Sequence, residues 1–386
     1  MGVLVISFDS ISDKVFEAMA GDGETYPNVA RFKREAYYRG GIKTVFMSNT
    51  YPVHATIATG KSPKDHGIIS NLLPPKKNDT RPLGERPWAQ MAGLIKAKTV
   101  WDATSEKGLS TAAMLWPVTC GAKIDYHMPE VHPEKGQNLL FRSLMYGSVF
   151  FQLSALLRHG GKLIKALKGI GQPELDDFTT SVTCDMLKKI KPDLTLVHLI
   201  AYDTLFHFAG SGGKEMETAK KAMDVNLGRL LESWGEDTVI VFSDHSQLDV
   251  NESINLHDIF GNAVFEQTGG SAFLNNATAG KSDRGLEEQR WFGRYLTKEE
   301  MEESGYADKK VLGIAAKPGY IFSESKKYKG AHGYPTDYEN YNVFYGVKGR
   351  NFTPKHEQKK WLKNRVTDVT AIIASELNLD MDILKE

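Results

Sequence analysis

The chain has 386 residues, of which 41% are hydrophobic and 25% are charged, and its 48 lysines and arginines balance 48 aspartates and glutamates. This composition is typical of a globular protein and excludes a disordered or collagen-like chain. A net charge of zero removes the simplest cause of non-specific nucleic-acid binding and polybasic membrane adhesion, although a local basic patch is compatible with it. The length corresponds to two or three domains of ~150 residues, or to one large core with an insertion.

Short apolar runs rich in Val, Ile and Leu recur along the chain between polar or turn residues, which is typical of buried parallel strands. The clearest runs are Val3–Phe8, Leu194–Ile200 and Thr238–Phe242. Weaker runs are Ile42–Phe46, Thr111–Leu115 and Asn342–Val347. Helical patterns are predicted between them at Pro27–Tyr38, Thr99–Lys107, Glu174–Ile190, Glu215–Trp234 and Glu357–Leu377. This alternation predicts an α/β fold with a doubly wound sheet.

Two stretches break the alternation. Pro117–Gly171 is dotted with Gly and His before it becomes helical, and Asn255–Lys329 combines a strand-like Ser271–Leu274 with a charged helix at Lys298–Glu303. We therefore predict an α/β catalytic core of residues 1–254 and 330–386, with a largely helical insertion at about 117–171. Residues 255–329 are predicted to form a smaller, cap-like insertion.

The most apolar stretch is Leu144–Leu157, with 14 residues. A transmembrane helix needs ~20, so we expect a buried or surface-lying helix and no transmembrane segment. Met1–Asp9 lacks the features of a signal peptide, which predicts a cytoplasmic location for the sequence as it stands, although a trimmed secreted form would look the same. Two cysteines, Cys120 and Cys184, cannot build a disulfide framework or a thiolate metal cluster and favour a reducing compartment.

Three of the predicted strands lead into an aspartate, namely Asp9, Asp203 and Asp244. Open α/β sheets bind ligands outside the carboxyl ends of their strands, so these carboxylates should converge in one crevice. Three like charges at short range would repel one another strongly unless a cation lay between them. An aspartate after a strand can also be a simple turn former or helix cap, so each residue taken alone has a structural alternative.

Histidines accompany these aspartates. His207 follows Asp203 by four residues and would share its helix face, His245 directly follows Asp244, and His332 lies between glycines that allow close backbone approach. Carboxylate plus imidazole is the ligand set expected for zinc, with manganese or iron also compatible. The histidines that lack such a combination are interpreted as mostly structural or exposed: His54, His66, His127, His132, His159, His198 and His257.

The segment Asn49–Gly60 carries the remaining signal, and Thr50 is its candidate functional residue. A hydroxyl at this position can simply cap a helix. Alternatively, the helix N-terminus offers free N–H groups and its positive dipole end to a phosphate, and a metal deprotonates the Thr50 oxygen for use as a nucleophile.

Taken together, the motifs resemble the nucleotide pyrophosphatase/phosphodiesterase (type I phosphodiesterase) family of the alkaline phosphatase superfamily over nearly the whole chain. The matching pieces occur in the family order: Ser7-Phe8-Asp9, Thr50-Tyr51-Pro52, His66-Gly67-Ile68-Ile69-Ser70-Asn71, Trp116-Pro117, Asp203-Thr204-Leu205-Phe206-His207, Ser243-Asp244-His245, Pro318-Gly319-Tyr320 and His332-Gly333-Tyr334. The resemblance implies an alkaline-phosphatase-like fold. It also implies two divalent metal ions, zinc in the first place and manganese as the alternative.

The resemblance divides the ligands between the two ions. One ion would be bound by Asp203, His207 and His332. The other would be bound by Asp9, Asp244 and His245 together with the oxygen of Thr50.

The resemblance also implies roles beside the metals. Thr50 would be the catalytic nucleophile, and Asn71 would bind a phosphoryl oxygen of the substrate. Tyr51 stands where the family has an aromatic residue against a nucleotide base.

The sequence departs from the family pattern at four positions, none of them a ligand: Val53, Phe206, Ser246 and Pro335. We expect Val53 and Phe206 to lie beside the site, with Phe206 contacting the substrate. An apolar and aromatic lining of Tyr51, Val53 and Phe206 would favour a diester over a monoester.

These features predict a metal-dependent hydrolase of phosphodiester or pyrophosphate bonds that acts on small nucleotide-like substrates through a phosphothreonine. A phosphomonoesterase or phosphonate hydrolase on the same metals is the alternative, because a fold does not determine its substrate. A metal-stabilised binding module without activity is a third interpretation, which the presence of Thr50 beside every ligand disfavours. No nucleic-acid polymer is expected as a partner, and the oligomeric state stays open.

Overall fold

Strands and helices alternate through most of the chain in the computed structural model, which describes residues 2–74, 81, 85–167, 171–261, 264–275, 285–307, 311–352 and 362–384. The strands are β1 (Val3–Phe8), β2 (Tyr37–Ile42), β3 (Thr111–Met114), β4 (Tyr126–Met128), β5 (Leu194–Leu199), β6 (Thr238–Ser243), β7 (Leu248–Ile254), β8 (Val264–Thr268), β9 (Ser271–Asn275), β10 (Phe292–Tyr295), β11 (Val311–Ala316), β12 (Gly319–Phe322), β13 (Gly330–Ala331) and β14 (Val343–Lys348).

The described helices connect these strands. They are α1 (Asp13–Gly21), α2 (Pro27–Glu35), α3 (Thr50–Thr59), α4 (Pro63–His66), α5 (Val100–Glu106), α6 (Leu139–Tyr146), α7 (Val149–Ala166), α8 (Glu174–Lys189), α9 (Ala201–Ala209), α10 (Lys214–Trp234), α11 (Leu256–Phe260), α12 (Lys298–Glu303) and α13 (Asp368–Glu376). None of the helices in the described part of the chain is both long and apolar enough to cross a membrane.

Seven strands form the central sheet, in the order β2-β14-β6-β1-β5-β3-β4. The strands from β6 to β4 are parallel, whereas β14 is antiparallel to both of its neighbours. Alternate residues of β1 belong to two different hydrophobic clusters: Leu4 and Ile6 join one, and Val3 and Val5 join the other. Both faces of the sheet are therefore buried under helices, and the predicted doubly wound α/β fold is confirmed.

Five strand predictions match the structure to within one residue, those for β1, β3, β5, β6 and β14. The prediction of a strand at Ile42–Phe46 is wrong, because β2 ends at Ile42. The predicted helix Pro27–Tyr38 ends at Glu35, since Tyr37 enters β2 and pairs with Val347.

The predicted C-terminal helix Glu357–Leu377 is shorter in the structure. Residues 357–361 lie outside the described residues, and α13 begins only at Asp368. The carboxylate of Asp368 accepts hydrogen bonds from the backbone N–H groups of Lys363 (2.9 Å) and Arg365 (3.3 Å). These bonds turn the chain back before the helix starts, which explains the later start.

Two smaller sheets lie outside the central one. The first has the order β10-β11-β9-β8 and is built within residues 255–329. The second has the order β12-β7-β13 and joins β12 to strands from segments that the sequence analysis assigned to the core. Val250 of β7 and Ala331 of β13 share a hydrophobic cluster with Leu274 of β9 and Ile314 of β11. The two small sheets therefore pack on one another.

The apolar stretch Leu144–Leu157 is divided between two helices, α6 and α7, rather than forming one. The break lies at Gly147, where a Cβ atom would come within 2.6 Å of Gln152 Nε2 and of the His127 carbonyl oxygen. This close approach docks the helix pair against β4. The sequence allowed either a buried or a surface-lying helix, and the helix pair lies on the surface.

Candidate active site

The register of the central strands brings the predicted acidic residues together. Phe8 of β1 pairs with Leu199 of β5 and with Ser243 of β6, so the three strands end at the same level. Asp9 and Asp244 follow directly, and α9 starts two residues after β5, which places Asp203 in its first turn. The carboxyl edge of the sheet therefore carries all three carboxylates, as the strand pattern predicts.

The more buried ligands surround His245. Its Nε2 atom lies 3.4 Å from Asp9 Oδ1, 3.3 Å from Asp244 Oδ2 and 3.1 Å from Thr50 Oγ1. Asp244 Oδ1 accepts hydrogen bonds from the backbone N–H groups of Ser10 (3.0 Å) and His245 (2.9 Å), which orients this carboxylate. The second oxygen of Asp244 lies 3.3 Å from His245 Nε2 and 3.5 Å from His54 Nδ1.

The other predicted ligands are partly exposed. Asp203 Oδ1 lies 3.5 Å from His207 Nε2 and 4.0 Å from His332 Nε2. The rings of His332 and His245 are 4.3 Å apart, so the two groups of ligands are contiguous. Ligand atoms within 4.8 Å of one another form two sets, Asp203-His245-His332 and Asp9-Asp244-His245. His245 therefore faces both sets, although the sequence assigned it to one.

The electrostatics of the buried set fit a bound cation. Asp9 Oδ1 and Asp244 Oδ2 accept no hydrogen bond from the residues that the structure describes. Burial, followed by repulsion from Asp244 and Asp203, raises the pKa of Asp9 well above its usual value, and burial raises the pKa of Asp244 to about 7. Burial also lowers the pKa of His245 to about 4, which keeps its imidazole in the neutral, metal-binding form. A divalent cation would stabilise these carboxylates as anions.

Asp203 behaves differently from the other two aspartates. Burial by itself would raise its pKa, but the adjacent rings of His207, His332 and His245 lower the pKa below its usual value. The partly exposed set thus offers an ionised carboxylate beside imidazoles, which is again a ligand set suited to a divalent metal.

Thr50 is the first residue of α3, and its side chain does not cap the helix. The N-cap residue is Asn49, which makes no side-chain cap hydrogen bond. The N–H of Tyr51 instead donates to Asn71 Oδ1 at 2.9 Å. The Asn71 amide nitrogen carries two further donors. The helix N-terminus, Asn71 and Thr50 together form a site suited to a phosphoryl group.

Hydrogen bonds from Nδ1 orient the two partly exposed histidine ligands. The sequence did not reveal Asn49 as one of the acceptors. His332 Nδ1 donates to Asn49 Oδ1 at 2.8 Å, and His207 Nδ1 donates to the Gly330 carbonyl at 2.8 Å. Both rings therefore present Nε2 to Asp203, as histidine ligands commonly do. The position of Asn49 just before Thr50 contained no indication that it would contact His332.

Two buried histidines that the sequence analysis treated as structural lie behind the other set. His198 Nε2 is 3.2 Å from Asp9 Oδ2. His54 Nδ1 donates to the Thr50 carbonyl at 2.8 Å and lies 3.5 Å from Asp244 Oδ2. The available signal was spacing, because His54 stands four residues after Thr50 and so shares its helix face.

A residue of α8 caps α9. Asp176 accepts hydrogen bonds from the backbone N–H groups of Ile200 (2.9 Å) and Ala201 (3.0 Å). This carboxylate satisfies N–H groups at the start of α9 that would otherwise lack partners. Asp176 thereby holds the first turn of α9. Asp203 projects from this turn and His207 from the last turn of the same helix.

Tyr51 does not present the free ring face expected of a residue that stacks on a base. The ring is fully buried, with its centroid 5.2 Å from that of Trp88 and 6.2 Å from that of His132. Trp88 and His132 stack at 3.7 Å, and both are partly exposed. Ala89 donates its N–H to the Asn71 carbonyl at 2.8 Å, which holds this aromatic pair beside Asn71. The partly exposed aromatic surface beside Tyr51 is therefore that of Trp88 with His132.

Val53 and Phe206 also take packing positions. Val53 is completely buried in the hydrophobic cluster on the α3 face of the sheet. Phe206 is 5% exposed, packs against Tyr202 and lies so close to Gly330 that a Cβ there would clash with its ring. One residue along a helix is a rotation of about 100°. Phe206 therefore points into the core, whereas its neighbour His207 points toward Asp203.

Relatives of known kind show the same architecture. An inactive variant of murine ectonucleotide pyrophosphatase/phosphodiesterase 5 in complex with AMP superposes with a TM-score of 0.69, at 18% identity, over 98% of this chain and 95% of that chain. Phosphonoacetate hydrolase from Sinorhizobium meliloti in complex with phosphonoformate gives a TM-score of 0.66, at 16% identity, over 98% and 96%. At these identities the likeness shows the fold.

Sequence comparison leads to the family. Venom phosphodiesterase 2 from Crotalus adamanteus is 20% identical over 365 residues, covering 86% of this chain, and the chain spans about two fifths of that relative's length (40%). The profile of the type I phosphodiesterase / nucleotide pyrophosphatase family matches residues 3–335. A match over this much of a chain of 386 residues shows that the protein belongs to the type I phosphodiesterase/nucleotide pyrophosphatase family.

Proposed function

We propose that the protein is a metal-dependent hydrolase of phosphodiester or pyrophosphate bonds that uses Thr50 as its nucleophile. The observation that carries the proposal is the position of the Thr50 hydroxyl, 3.1 Å from His245 Nε2 and at the start of the helix whose first turn Asn71 caps. Membership of the family supports the reaction class. A hydroxyl among unpaired buried carboxylates has no evident structural purpose, since it caps no helix.

We propose two ions, zinc by preference and manganese as the alternative. Asp203, His207 and His332 would hold one, and Asp9, Asp244 and His245 would hold the other together with the Thr50 oxygen. When bound, the ions would supply a lowered pKa for the Thr50 hydroxyl and compensation of the charge on the phosphoryl group. The carboxylate and imidazole donors are those that zinc prefers.

The remaining chemistry belongs to side chains of the chain. The Thr50 oxygen attacks phosphorus, the bond from phosphorus to the leaving alcohol or phosphate breaks, and a phosphothreonine that still carries the other ester group forms. Asn71 donates from its amide nitrogen to a non-bridging phosphoryl oxygen, and so stabilises charge that develops in the transition state. Water then attacks phosphorus, the bond to Thr50 breaks, and the hydroxyl is regenerated with release of a phosphate monoester.

The proposed substrate is a small nucleotide-like ester. The relatives include phosphodiesterases, and one similar structure carries AMP. In this chain the base would find its aromatic surface on Trp88 with His132, since Tyr51 is covered by them. The predicted cytoplasmic location stays a prediction, and the cysteines, Cys120 and Cys184, are both buried free thiols.

The experiment is a panel of aryl esters assayed on metal-stripped and metal-reconstituted protein. The panel contains bis(p-nitrophenyl) phosphate, the p-nitrophenyl ester of thymidine 5′-monophosphate, an aryl phosphonate and p-nitrophenyl phosphate. We expect no turnover after chelation, recovery with Zn²⁺ or Mn²⁺, and the highest kcat/KM on a diester. Full activity of the stripped protein, verified by elemental analysis, would contradict the proposal.

Mass spectrometry of acid-quenched reactions separates this proposal from its alternatives. A phosphoryl group that still carries the retained ester arm, such as thymidine from the thymidine ester, is expected on Thr50 in the wild-type protein and not in Thr50→Ala. A preference for the monoester or phosphonate would establish the alternative activity on the same site. Tight metal binding without turnover of any ester would point to the binding module.

A further inference from the structure

The helix pair α6–α7 exposes a group of large apolar side chains that the proposed active site does not use. We call it the apolar face and define it by six side chains: Phe141, Met145, Phe150, Leu153, Leu157 and Ile164. Each is more than two fifths exposed, and Phe150 and Leu157 are 89% exposed. Isolated exposed apolar side chains are normal on a protein surface, but a contiguous group of large ones indicates an interaction site.

The spacing on α7 places its members of the apolar face along one side of the helix. Phe150, Leu153, Leu157 and Ile164 are separated by three, four and seven residues, so they lie along one stripe. The opposite side of α7 faces the protein core, where Gln152 and Ala155 are buried and Phe151 and Leu163 pack against a hydrophobic cluster. The helix therefore has a defined outer surface about 27 Å long, given 1.5 Å per residue.

The orientation of the helix pair is held by specific contacts. Ser143 Oγ donates to Gln152 Oε1 at 2.6 Å, and Gln152 Nε2 donates back to the Ser143 carbonyl at 2.8 Å. The N–H of Ser148 donates to the His127 carbonyl at 2.9 Å, which ties the pair to β4. The apolar face is thus exposed by the fold itself.

The charge within this segment of the sequence has one sign. Residues Leu139–Leu167 contain no Asp or Glu, although the whole chain carries 48 of them. The basic residues in this segment are Arg142, Arg158, Lys162 and Lys165. A neutral chain that keeps all acids out of these 29 consecutive residues has basic side chains beside an apolar stripe.

The acids of the neighbouring helix α8 lie on the other side of α7. Asp177 binds Lys162 at 2.7 Å, and Asp185 lies 2.9 Å from His159. Arg158 is 3.9 Å from Asp185 but keeps 38% of its side chain exposed. Lys165, seven residues after Arg158 and on the same edge of the helix, is also exposed. These two side chains flank the apolar face.

We infer that the apolar face docks the protein on an anionic lipid surface, with α7 lying in the plane of the interface. A helix with large apolar side chains on one face and basic side chains at its edge is the recognised pattern for this position. The aliphatic parts of Arg158 and Lys165 would pack beside the acyl boundary while their charges reach lipid phosphates.

A second copy of the chain fits the same surface less well. A two-fold dimer would place each face against itself, so Arg142, Arg158 and Lys165 would meet equal charges with no acid from either helix pair. An anionic membrane offers the complementary charge together with an apolar layer. The charge pattern therefore selects the lipid surface.

The test is flotation of the full chain with vesicles of phosphatidylcholine alone and with vesicles in which phosphatidylglycerol replaces part of it. The wild type should float with the anionic vesicles, and high salt should weaken this binding. Phe150→Gln and Leu157→Gln should each reduce the partition coefficient about tenfold, because each removes a buried apolar group. Lys165→Glu should reduce it on anionic vesicles.

The control variants are Val225→Gln on α10 and Ile259→Gln on α11, whose exposed apolar side chains lie outside the helix pair. They should float like the wild type, and all variants should keep the wild-type thermal unfolding midpoint. Equal binding to neutral vesicles, equal loss in the controls, or no vesicle binding would overturn the inference. So would a dimer, seen by light scattering, that Phe150→Gln and Leu157→Gln dissociate while the wild type ignores vesicles.

Discussion

Three side chains that meet at the start of α3, namely Asn49, Thr50 and Asn71, have different roles. Asn49 occupies the N-cap position but uses its side chain to hold His332, and Asn71 takes over the capping of the Tyr51 N–H. Thr50 is thereby left to contact His245. A loss of either asparagine should therefore affect the site more than the stability of the helix.

The first prediction concerns Thr50. Thr50→Ala should lower kcat by several orders of magnitude, because the nucleophile is gone, yet it should change the free energy of unfolding by less than ~1 kcal/mol, the typical size of a lost cap. Thr50→Ser should keep more activity, since a hydroxyl remains. Steady-state rates and urea unfolding measure both effects, and near wild-type turnover of the alanine variant would remove Thr50 from the mechanism.

The second prediction concerns Asn49 as a positioning residue. Asn49→Ala leaves His332 Nδ1 without its acceptor, so metal affinity should fall about 10- to 100-fold, as for other second-layer partners. Asn49→Asp should restore most of this affinity, because a carboxylate oxygen also accepts the hydrogen bond. Titration of the metal-free protein measures the affinity. Equal losses in the two variants would indicate that Asn49 acts only through packing.

The third prediction replaces the expected role of Tyr51. Trp88→Ala should raise KM for the nucleotide ester more than for a methyl aryl diester, because a base stacked on an aromatic ring contributes about 1 kcal/mol. Tyr51→Phe keeps the buried ring, so it should not change the ratio of KM for the nucleotide ester to KM for the methyl aryl diester. If Trp88→Ala changed both substrates equally, the aromatic pair would be part of the packing around Asn71 and not a base platform.

At the scale of elements, helices that begin at the carboxyl edge of the sheet position the ligands. Helix α9 depends on α8 for its first turn, because Asp176 accepts both the Ile200 and the Ala201 N–H groups. Burial raises the pKa of Asp176 to about 7, although these two donors lower it. The site therefore relies on a contact between α8 and α9, and no sequence motif links these two helices.

The fourth prediction tests this cap. Asp176→Ala should destabilise the protein by about 1–2 kcal/mol, the upper range for a lost cap, and should weaken metal binding through Asp203 and His207. Asp176→Asn keeps one acceptor oxygen and should lie between the alanine variant and the wild type. Chemical unfolding and metal titration are compared for the three proteins. A stable Asp176→Ala protein with normal metal affinity would show that α9 needs no external cap.

At the scale of the whole molecule, buried neutral histidines link stability to pH. Burial lowers the pKa of His127 to about 3, while its Nε2 lies 3.0 Å from Thr119 Oγ1. Burial likewise lowers the pKa of His66 to about 4. Unfolded histidine binds a proton near pH 6.5, so the stability contributed by these residues is complete above that pH. It is lost progressively as the pH falls from 6.5 toward the folded-state values.

The fifth prediction follows from this sign. Between pH 6.5 and 4.5 the free energy of unfolding should fall by up to about 1.4 kcal/mol per pH unit for each such histidine. His127→Gln should reduce that slope, whereas His257→Gln, which changes a partly exposed ring on α11, should leave it unchanged. Urea unfolding at a series of pH values measures the slope. An identical slope in His127→Gln would assign the acid sensitivity to other groups.

The sequence by itself determined the core strands, their alternation with helices and the set of acids and histidines at the carboxyl edge. The physical reason is local: an apolar run such as Val3–Phe8 is buried on both faces whatever surrounds it, and the residue after a parallel strand lies at the same edge as its neighbours. His207 could be placed beside Asp203 for a similar reason, since their spacing alone sets them on one helix face.

Only the tertiary structure decided which side chains surround these ligands. Asn49 and His332 are 283 positions apart, and Asp9 meets His198 across two strands. Trp88 covers Tyr51 because an irregular segment pairs with Asn71 and Leu72, and no periodicity announces that pairing. From their place in the motifs, Phe206 and Val53 were expected to lie beside the substrate. Successive residues of a helix are rotated by about 100°, so these two side chains point into the core. Burial of their apolar surface is favourable there.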